Sequence, residues 1–304
     1  MNEESNWYQQ PEMPAYRQFL ILVGLFCTGL LAAIPISMIV VALVPNVHIK
    51  DLANSNIPYS LTVILLFIQD ILLFALPAFL FAKIVACKKN YFQFNAQSPR
   101  ELWLLVIVIA FAAIPVNDFF AQINEWIPIP KSWTVLFKSW ENSYGSSVTA
   151  VLNFKNFGTF LFSLVLIALL PAVVEELFFR GALQQVMLKW TKKVFPAILI
   201  TSVIFSAIHL SYYGFLARAA LGMVLGYVYY YGKNIWLNIL IHFINNATVV
   251  TALYIAYGSK PLPQNMMDDN SSVTPWYLQL IGLVILIVVL RIFIKKSQTV
   301  IHNS

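Results

Sequence analysis

The chain has 304 residues, of which 60% are hydrophobic and only 11% are charged, and its mean hydropathy is +0.74. Soluble domains carry about 25% charged residues, so this composition excludes a soluble globular protein and indicates an integral membrane protein. The net charge of +6 is spread over the loops between apolar segments and predicts no nucleic-acid partner, and two cysteines provide neither a disulfide framework nor a cysteine metal site.

Eight apolar segments are long enough to cross a bilayer, because about 20 helical residues at 1.5 Å each span about 30 Å of hydrocarbon. They predict an all-α fold, a polytopic transmembrane helix bundle of about eight spans that forms one integral membrane domain, 1–304. In chain order the segments are 19–44, 60–85, 101–123, 157–190, 194–211, 213–231, 234–257 and 276–294.

The basic residues predict the orientation of these spans. They gather in the loops after spans two, four and six and at the C-terminal end, whereas the loop after span seven carries Asp268 and Asp269. Because cytoplasmic loops are enriched in lysine and arginine, we expect a multi-pass protein of the cell membrane with both termini in the cytoplasm. The residues concerned are Lys88, Lys89, Arg100, Lys189, Lys192, Lys193, Lys233, Arg291, Lys295 and Lys296.

The loop between spans three and four contains a helical pattern of its own. Trp133, Leu136, Phe137 and Trp140 recur at the spacing of one helix face. Two interpretations are open, a helix that lies in the outer membrane interface and a cap that packs on the bundle.

Polar residues inside the fourth, fifth and seventh spans carry the functional signal. A charge at membrane depth costs about 2.5 to 3.5 kcal/mol on insertion scales, and such residues usually mark functional sites. In PAVVEELFFRGAL, Glu176 and Arg180 are i, i+4 neighbours that can pair, while Glu175 points about 100° away and is left for other partners.

The fifth and seventh spans carry histidines that lie about 22 Å and about 12 Å from the predicted cytoplasmic edges at 1.5 Å per residue, so that both could reach one cavity. FSAIHL places Phe205 four residues before His209, so that the ring can pack beneath the imidazole. HFINNA places Asn246 four residues after His242, as a second hydrogen-bond donor on the same face. A glutamate, two histidines and an asparagine include a base for water and donors for a developing oxyanion, the groups that peptide hydrolysis needs.

The three patterns, Glu175-Glu176-x-x-x-Arg180, Phe205-x-x-x-His209 and His242-x-x-x-Asn246, resemble in this order the motifs of the CPBP family of intramembrane proteases. That family includes the type II CAAX prenyl endopeptidases and bacterial proteins linked to bacteriocin self-immunity (Abi). The resemblance covers a module of residues 157–257.

The resemblance implies an endopeptidase that cleaves a membrane-associated peptide or protein. Glu175 and His209 would activate the attacking water, and His242 and Asn246 would stabilise the oxyanion. Structural support would come from Glu176, Arg180 and Phe205.

The sequence leaves open whether the site binds a metal ion. Imidazole and carboxylate groups are suitable zinc ligands, and Glu175, His209 and His242 would be the ligands if zinc binds. The HExxH spacing is absent, and the two histidines stand on separate spans. We therefore favour a glutamate-dependent reaction without a tightly held metal, and no cofactor is assigned.

Other intramembrane polar residues invite structural interpretations. Asp118 and Arg218 lie near the outer ends of their spans and are expected to pair. Asp70 could line the cavity or bond to a neighbouring helix, and the second interpretation is favoured.

Two other classes of function remain alternatives to the protease. A proton-coupled transporter would also hold ionisable residues at membrane depth, although no inverted repeat is found. A non-catalytic scaffold or immunity factor could retain the motifs without using them.

Overall fold

The computed structural model describes residues 13–47, 58–85, 91–94, 96–152, 154–258 and 274–302. Cys87, Lys88, Lys89, Asp268 and Asp269 lie outside this part of the chain. Within it the fold is all-helical, without strands. The helices in chain order are α1 Ala15–Ala42, α2 Tyr59–Val85, α3 Arg100–Trp126, α4 Lys131–Val151, α5 Phe157–Thr191, α6 Val194–Ile208, α7 Phe215–Gly232, α8 Ile235–Tyr257 and α9 Trp276–His302.

Six of these helices (α1, α2, α3, α5, α8 and α9) are long and apolar enough to cross a membrane, so the chain is a multi-pass membrane protein. Predicted spans five and six correspond to α6, with 15 residues, and α7, with 18. At 1.5 Å per residue, α6 covers only about 22 Å of the roughly 30 Å hydrocarbon layer. The count of eight spans and the cytoplasmic position of both termini stay predictions.

Two helices contain π-helical turns close to the polar residues. In α2 the π-helical turn is Ile71–Ala75, and in α5 the turns are Leu164–Leu169 and Leu177–Leu183. Glu175 and Glu176 end the regular helical stretch directly before the third of these turns. Such turns occur frequently at functional sites, because they change which side chains share a helix face.

Two clusters of buried apolar side chains form the core. The first joins α1, α2, α5 and α6, together with the ends of α7 and α8 that carry Tyr229 and Ile235, through rings such as Phe74 and Phe205. The second joins α3, α7, α8 and α9, with Ile109 and Leu225 fully buried. The two clusters meet where α5 faces α7 and α8, and the buried polar residues lie at that boundary.

Two glycines bring α7 close to its neighbours. A Cβ atom at Gly222 would lie 3.0 Å from Cβ of Ser202, and one at Gly226 would lie 2.5 Å from Cγ2 of Ile198, both on α6. This small-xxx-small spacing is the usual device for close helix packing in membranes. The same two glycines offer their carbonyl oxygens to α5, where Arg180 donates to Gly222 and Gln184 to Gly226.

Helix α4 makes the contacts that the cap interpretation of the loop between spans three and four predicts. Its position in the outer membrane interface stays a prediction. Phe137 stacks on Tyr212 with 4.7 Å between the ring centroids and 6° between the planes. Glu141 is buried and accepts the hydroxyl of Ser211 at 2.9 and 3.0 Å. At the start of the apolar stripe Trp133 remains 56% exposed.

Candidate active site

Glu176 is the centre of a fully buried hydrogen-bond network. Its Oε1 atom accepts a hydrogen bond from Arg180 at 2.9 Å, which is the expected i, i+4 ion pair, and lies 3.0 Å from Nδ1 of His242. Its Oε2 atom accepts the side-chain amide of Asn238 at 3.3 Å. A buried charge is tolerated when it is paired and hydrogen-bonded in this way, so Glu176 ties α5 to α8.

Arg180 is held from three directions. Besides Glu176, it donates to the carbonyl oxygen of Gly222 at 3.2 Å, and its guanidinium carbon lies 4.7 Å from the centroid of the Phe205 ring. The side chain is fully buried. These contacts fix the position of α5 relative to α6 and α7.

Glu175 turns away from this network, as the helical angle between neighbours requires. Its Oε2 atom lies 3.8 Å from Nε2 of His242, which is near enough for charge attraction and too far for a direct hydrogen bond. His242 therefore stands between two carboxylates, with Nδ1 towards Glu176 and Nε2 towards Glu175.

His209 follows the last residue of α6, and its tautomer is set by the backbone. Nδ1 lies 2.8 Å from the carbonyl oxygen of Phe205. Because a carbonyl oxygen only accepts hydrogen bonds, Nδ1 carries the proton and the neutral ring keeps a lone pair on Nε2. The Phe205 ring makes edge contacts with both imidazoles, at 5.1 Å from His209 and 5.9 Å from His242.

A cavity of about 640 Å³ lies against these residues. Its lining includes Glu175, His209, His242 and Asn246, so the four residues to which the family resemblance assigns catalysis face one space. Phe205 also borders it, while Glu176 and Arg180 lie behind the wall. The volume falls in the range of about 300 to 1,000 Å³ that small-ligand sites occupy.

Among the described residues, no group of three His, Cys, Asp or Glu side chains is arranged to hold a metal ion. The conditional ligand set Glu175, His209 and His242 therefore does not fit the three-ligand geometry of a catalytic zinc site. Metalloprotease chemistry finds no support in this arrangement.

Three other charged residues of the predicted spans differ from expectation. Asp70 lines the cavity, which is the interpretation that the sequence did not favour. Arg218 lines it too and does not pair with Asp118. Its guanidinium donates to the carbonyl oxygen of Ser211 at 2.6 Å and lies 5.4 Å from the ring centroid of Tyr144.

The partner of Asp118 is the hydroxyl of Thr274, which donates to the carboxylate. Similar depth in two spans places no constraint on which faces of the helices meet, and this is why the predicted pair with Arg218 was wrong.

Sequence reasoning missed Asn238, which donates to both Glu176 and the carbonyl oxygen of Leu225, the latter at 2.6 Å. A signal was present, because Asn238 stands four residues before His242 and shares its helix face. Tyr144 of α4, which also borders the cavity, offered no such signal.

The fold and the cavity define a multi-pass membrane protein with a polar site between its helices. Residues 157–248 match the family model described as Type II CAAX prenyl endopeptidase Rce1-like. The match confirms the resemblance drawn from the motifs and supports a protease. It covers less than a third of the chain and includes every residue of the three motifs. No curated protein and no solved structure matches the chain.

Proposed function

We propose that the protein is an intramembrane endopeptidase that hydrolyses a peptide bond of a membrane-associated peptide or protein. The observation that carries the proposal is the shared cavity of Glu175, His209, His242 and Asn246. These four residues supply a carboxylate, two imidazoles and an amide to a cavity that is also lined by apolar side chains, which suits a peptide segment that leaves the lipid.

Glu175 and His209 form the base side of the site. The lone pair on Nε2 of His209 is available because Nδ1 is engaged with the Phe205 carbonyl. Water bound between the two groups gives a proton to Glu175, and its oxygen adds to the carbonyl carbon of the scissile bond. A positioned base of this kind accelerates hydrolysis by about 10² to 10⁴.

His242 and Asn246 form the donor side. Addition of water places a negative charge on the carbonyl oxygen, which preorganised donors stabilise. Because Nδ1 of His242 faces the Glu176 carboxylate, Nε2 donates only in the doubly protonated ring. The carboxylates of Glu175 and Glu176 then balance the Arg180 guanidinium and the His242 imidazolium, so the net charge of these four groups is zero.

Collapse of the tetrahedral intermediate completes the reaction. The carbon–nitrogen bond breaks, the proton held by Glu175 passes to the leaving amine, and the products are a carboxylic acid and an amine. Membrane-tethered peptides or leader sequences near the bilayer are the proposed substrates.

The test compares membrane proteomes from cells that carry the wild-type protein, Glu175→Gln or Glu101→Gln. Glu101 is an exposed carboxylate at the start of α3 and serves as the matched control. Uncut peptides are expected to accumulate with Glu175→Gln alone, at equal expression. A peptide profile and phenotype unchanged by Glu175→Gln would instead favour a non-catalytic scaffold.

A further inference from the structure

We infer that Asn117 of α3 and Asn245 of α8 are positioning residues that orient the amide of Asn246, so that its NH2 group donates into the cavity. The inference rests on the proposed function, in which Asn246 is an oxyanion donor. It adds a helix outside the matched family region to the machinery of the site.

Three side-chain amides form a chain that ends at the cavity. Nδ2 of Asn117 donates to Oδ1 of Asn245 at 2.6 Å, across the interface of α3 and α8. Nδ2 of Asn245 in turn donates to Oδ1 of Asn246 at 3.4 Å. Asn245 and Asn246 both line the cavity.

The direction of these hydrogen bonds decides which end of the Asn246 amide faces the cavity, because an amide has an NH2 donor at one end and an oxygen acceptor at the other. Rotation by 180° about the last side-chain bond exchanges the NH2 donor for the carbonyl acceptor. With its oxygen turned to Asn245, Asn246 keeps its NH2 group for a ligand in the cavity. The reversed amide would present an oxygen to the oxyanion and repel it.

Asn117 sets this direction from outside the cavity. The NH2 group of Asn117 donates a hydrogen bond to the side-chain oxygen of Asn245, so the NH2 group of Asn245 faces Asn246. The short first hydrogen bond thereby anchors the longer second one. Asn117 itself lies beside a small apolar pocket between α3, α7 and α9, away from the proposed reacting groups.

The plainer role for such a bond is to hold two helices together, as interhelical hydrogen bonds in membranes do. Asn124 provides the matched structural control, because it lies on the same helix and accepts the backbone N–H of Leu216 on α7 at 3.0 Å. Asn124→Leu removes an interhelical bond of α3 without touching the amide chain.

The experiment measures cleavage kinetics and thermal unfolding of Asn117→Leu, Asn117→Gln and Asn124→Leu in detergent. Asn117→Leu is expected to lower kcat roughly tenfold, less than the 10² to 10³ that loss of a whole oxyanion donor costs. KM should stay within about twofold, because the donor acts on the transition state. Asn117→Gln retains the amide and should recover most of the activity, while Asn124→Leu should change unfolding but not kcat.

A double-mutant cycle separates positioning from packing. If Asn117 acts through Asn246, Asn117→Leu has no further effect on the single-turnover rate of Asn246→Ala with enzyme in excess. Additive losses, or an unchanged kcat in Asn117→Leu alone, would overturn the inference.

A readout independent of cleavage keeps this inference distinct from the proposed function. In protein labelled with ¹⁵N-asparagine, Asn117→Leu should shift the side-chain NH2 resonances of Asn245 and Asn246, and Asn124→Leu should leave them in place. Absence of cleavage by the wild type would refute the proposed function. Unshifted resonances would refute the amide chain.

Discussion

Nδ1 of His242 lies 3.0 Å from the carboxylate of Glu176, across the interface between α8 and α5. The same carboxylate is paired with Arg180 at 2.9 Å. One buried side chain thus determines both the packing of two helices and the face that an imidazole turns to the cavity.

Replacement of Glu176 should strongly lower the free energy of unfolding. Glu176→Gln leaves the fully buried guanidinium of Arg180 without its counter-charge, and breaking a buried pair costs about 3 to 5 kcal/mol. Denaturant unfolding in detergent measures this loss, with Glu101→Gln as an exposed control on α3. A loss equal to that of the control would show that the ion pair contributes nothing to folding.

Asn238 should prove to be a supporting residue of the same network. Asn238→Ala removes donors from Glu176 and from the carbonyl oxygen of Leu225, both buried. Glu176 keeps its bonds to Arg180 and His242, so the loss is that of single hydrogen bonds, about 0.5 to 1.5 kcal/mol for the carbonyl oxygen and about 1.5 to 3 kcal/mol for the carboxylate. Thermal unfolding checks the change, and an unchanged midpoint would contradict the network.

Because α7 lies so close to α6, a larger side chain at Gly226 should destabilise the fold. Gly226→Ala places a methyl group 2.5 Å from Cγ2 of Ile198, and overpacking of this kind costs about 1 to 3 kcal/mol. Ile198→Ala in the same chain should relieve part of it. Gly24→Ala is the control, since a Cβ there meets no atom within 4 Å. Equal unfolding midpoints of the two glycine variants would argue against tight packing at α7.

The cap formed by α4 should depend on its buried carboxylate. Ser211→Ala removes the hydroxyl that Glu141 accepts and leaves that carboxylate without this donor, a change of about 1 to 3 kcal/mol or more for a charged group. Faster cleavage of α4 by added protease is the expected sign. Ser132→Ala, at an exposed position of α4, should not change that rate.

Chelation tests the chemistry of the site. Since no three-ligand group is present among the described residues, cleavage by purified protein should survive treatment with EDTA. Loss of activity that zinc restores would overturn the glutamate-dependent mechanism.

Local relationships were accessible from the sequence. The spacing of Glu176 and Arg180 predicts their ion pair, and the spacing of Phe205 and His209 predicts their ring contact, because residues four apart share a helix face. Hydropathy identified the six long membrane helices. The match to residues 157–248 confirms the resemblance that the ordered motifs carry.

The sequence did not predict which helices contact each other. Periodicity says which residues share a face, but not which faces meet. For this reason the sequence did not predict that Asp70 lines the cavity, or that Arg218 donates to the carbonyl oxygen of Ser211 and does not pair with Asp118. The amide chain from Asn117 to Asn245 joins residues 128 apart.

The sequence by itself determined the membrane class, the motif residues and their order along the chain, because hydrophobicity and helical spacing are local properties. The tertiary structure alone decided that Glu175, His209, His242 and Asn246 border one cavity with α4 packed over it. That arrangement follows from side-chain packing between distant segments, where close contacts such as Gly226 on Ile198 and buried bonds such as Glu176 to His242 select one arrangement of helices.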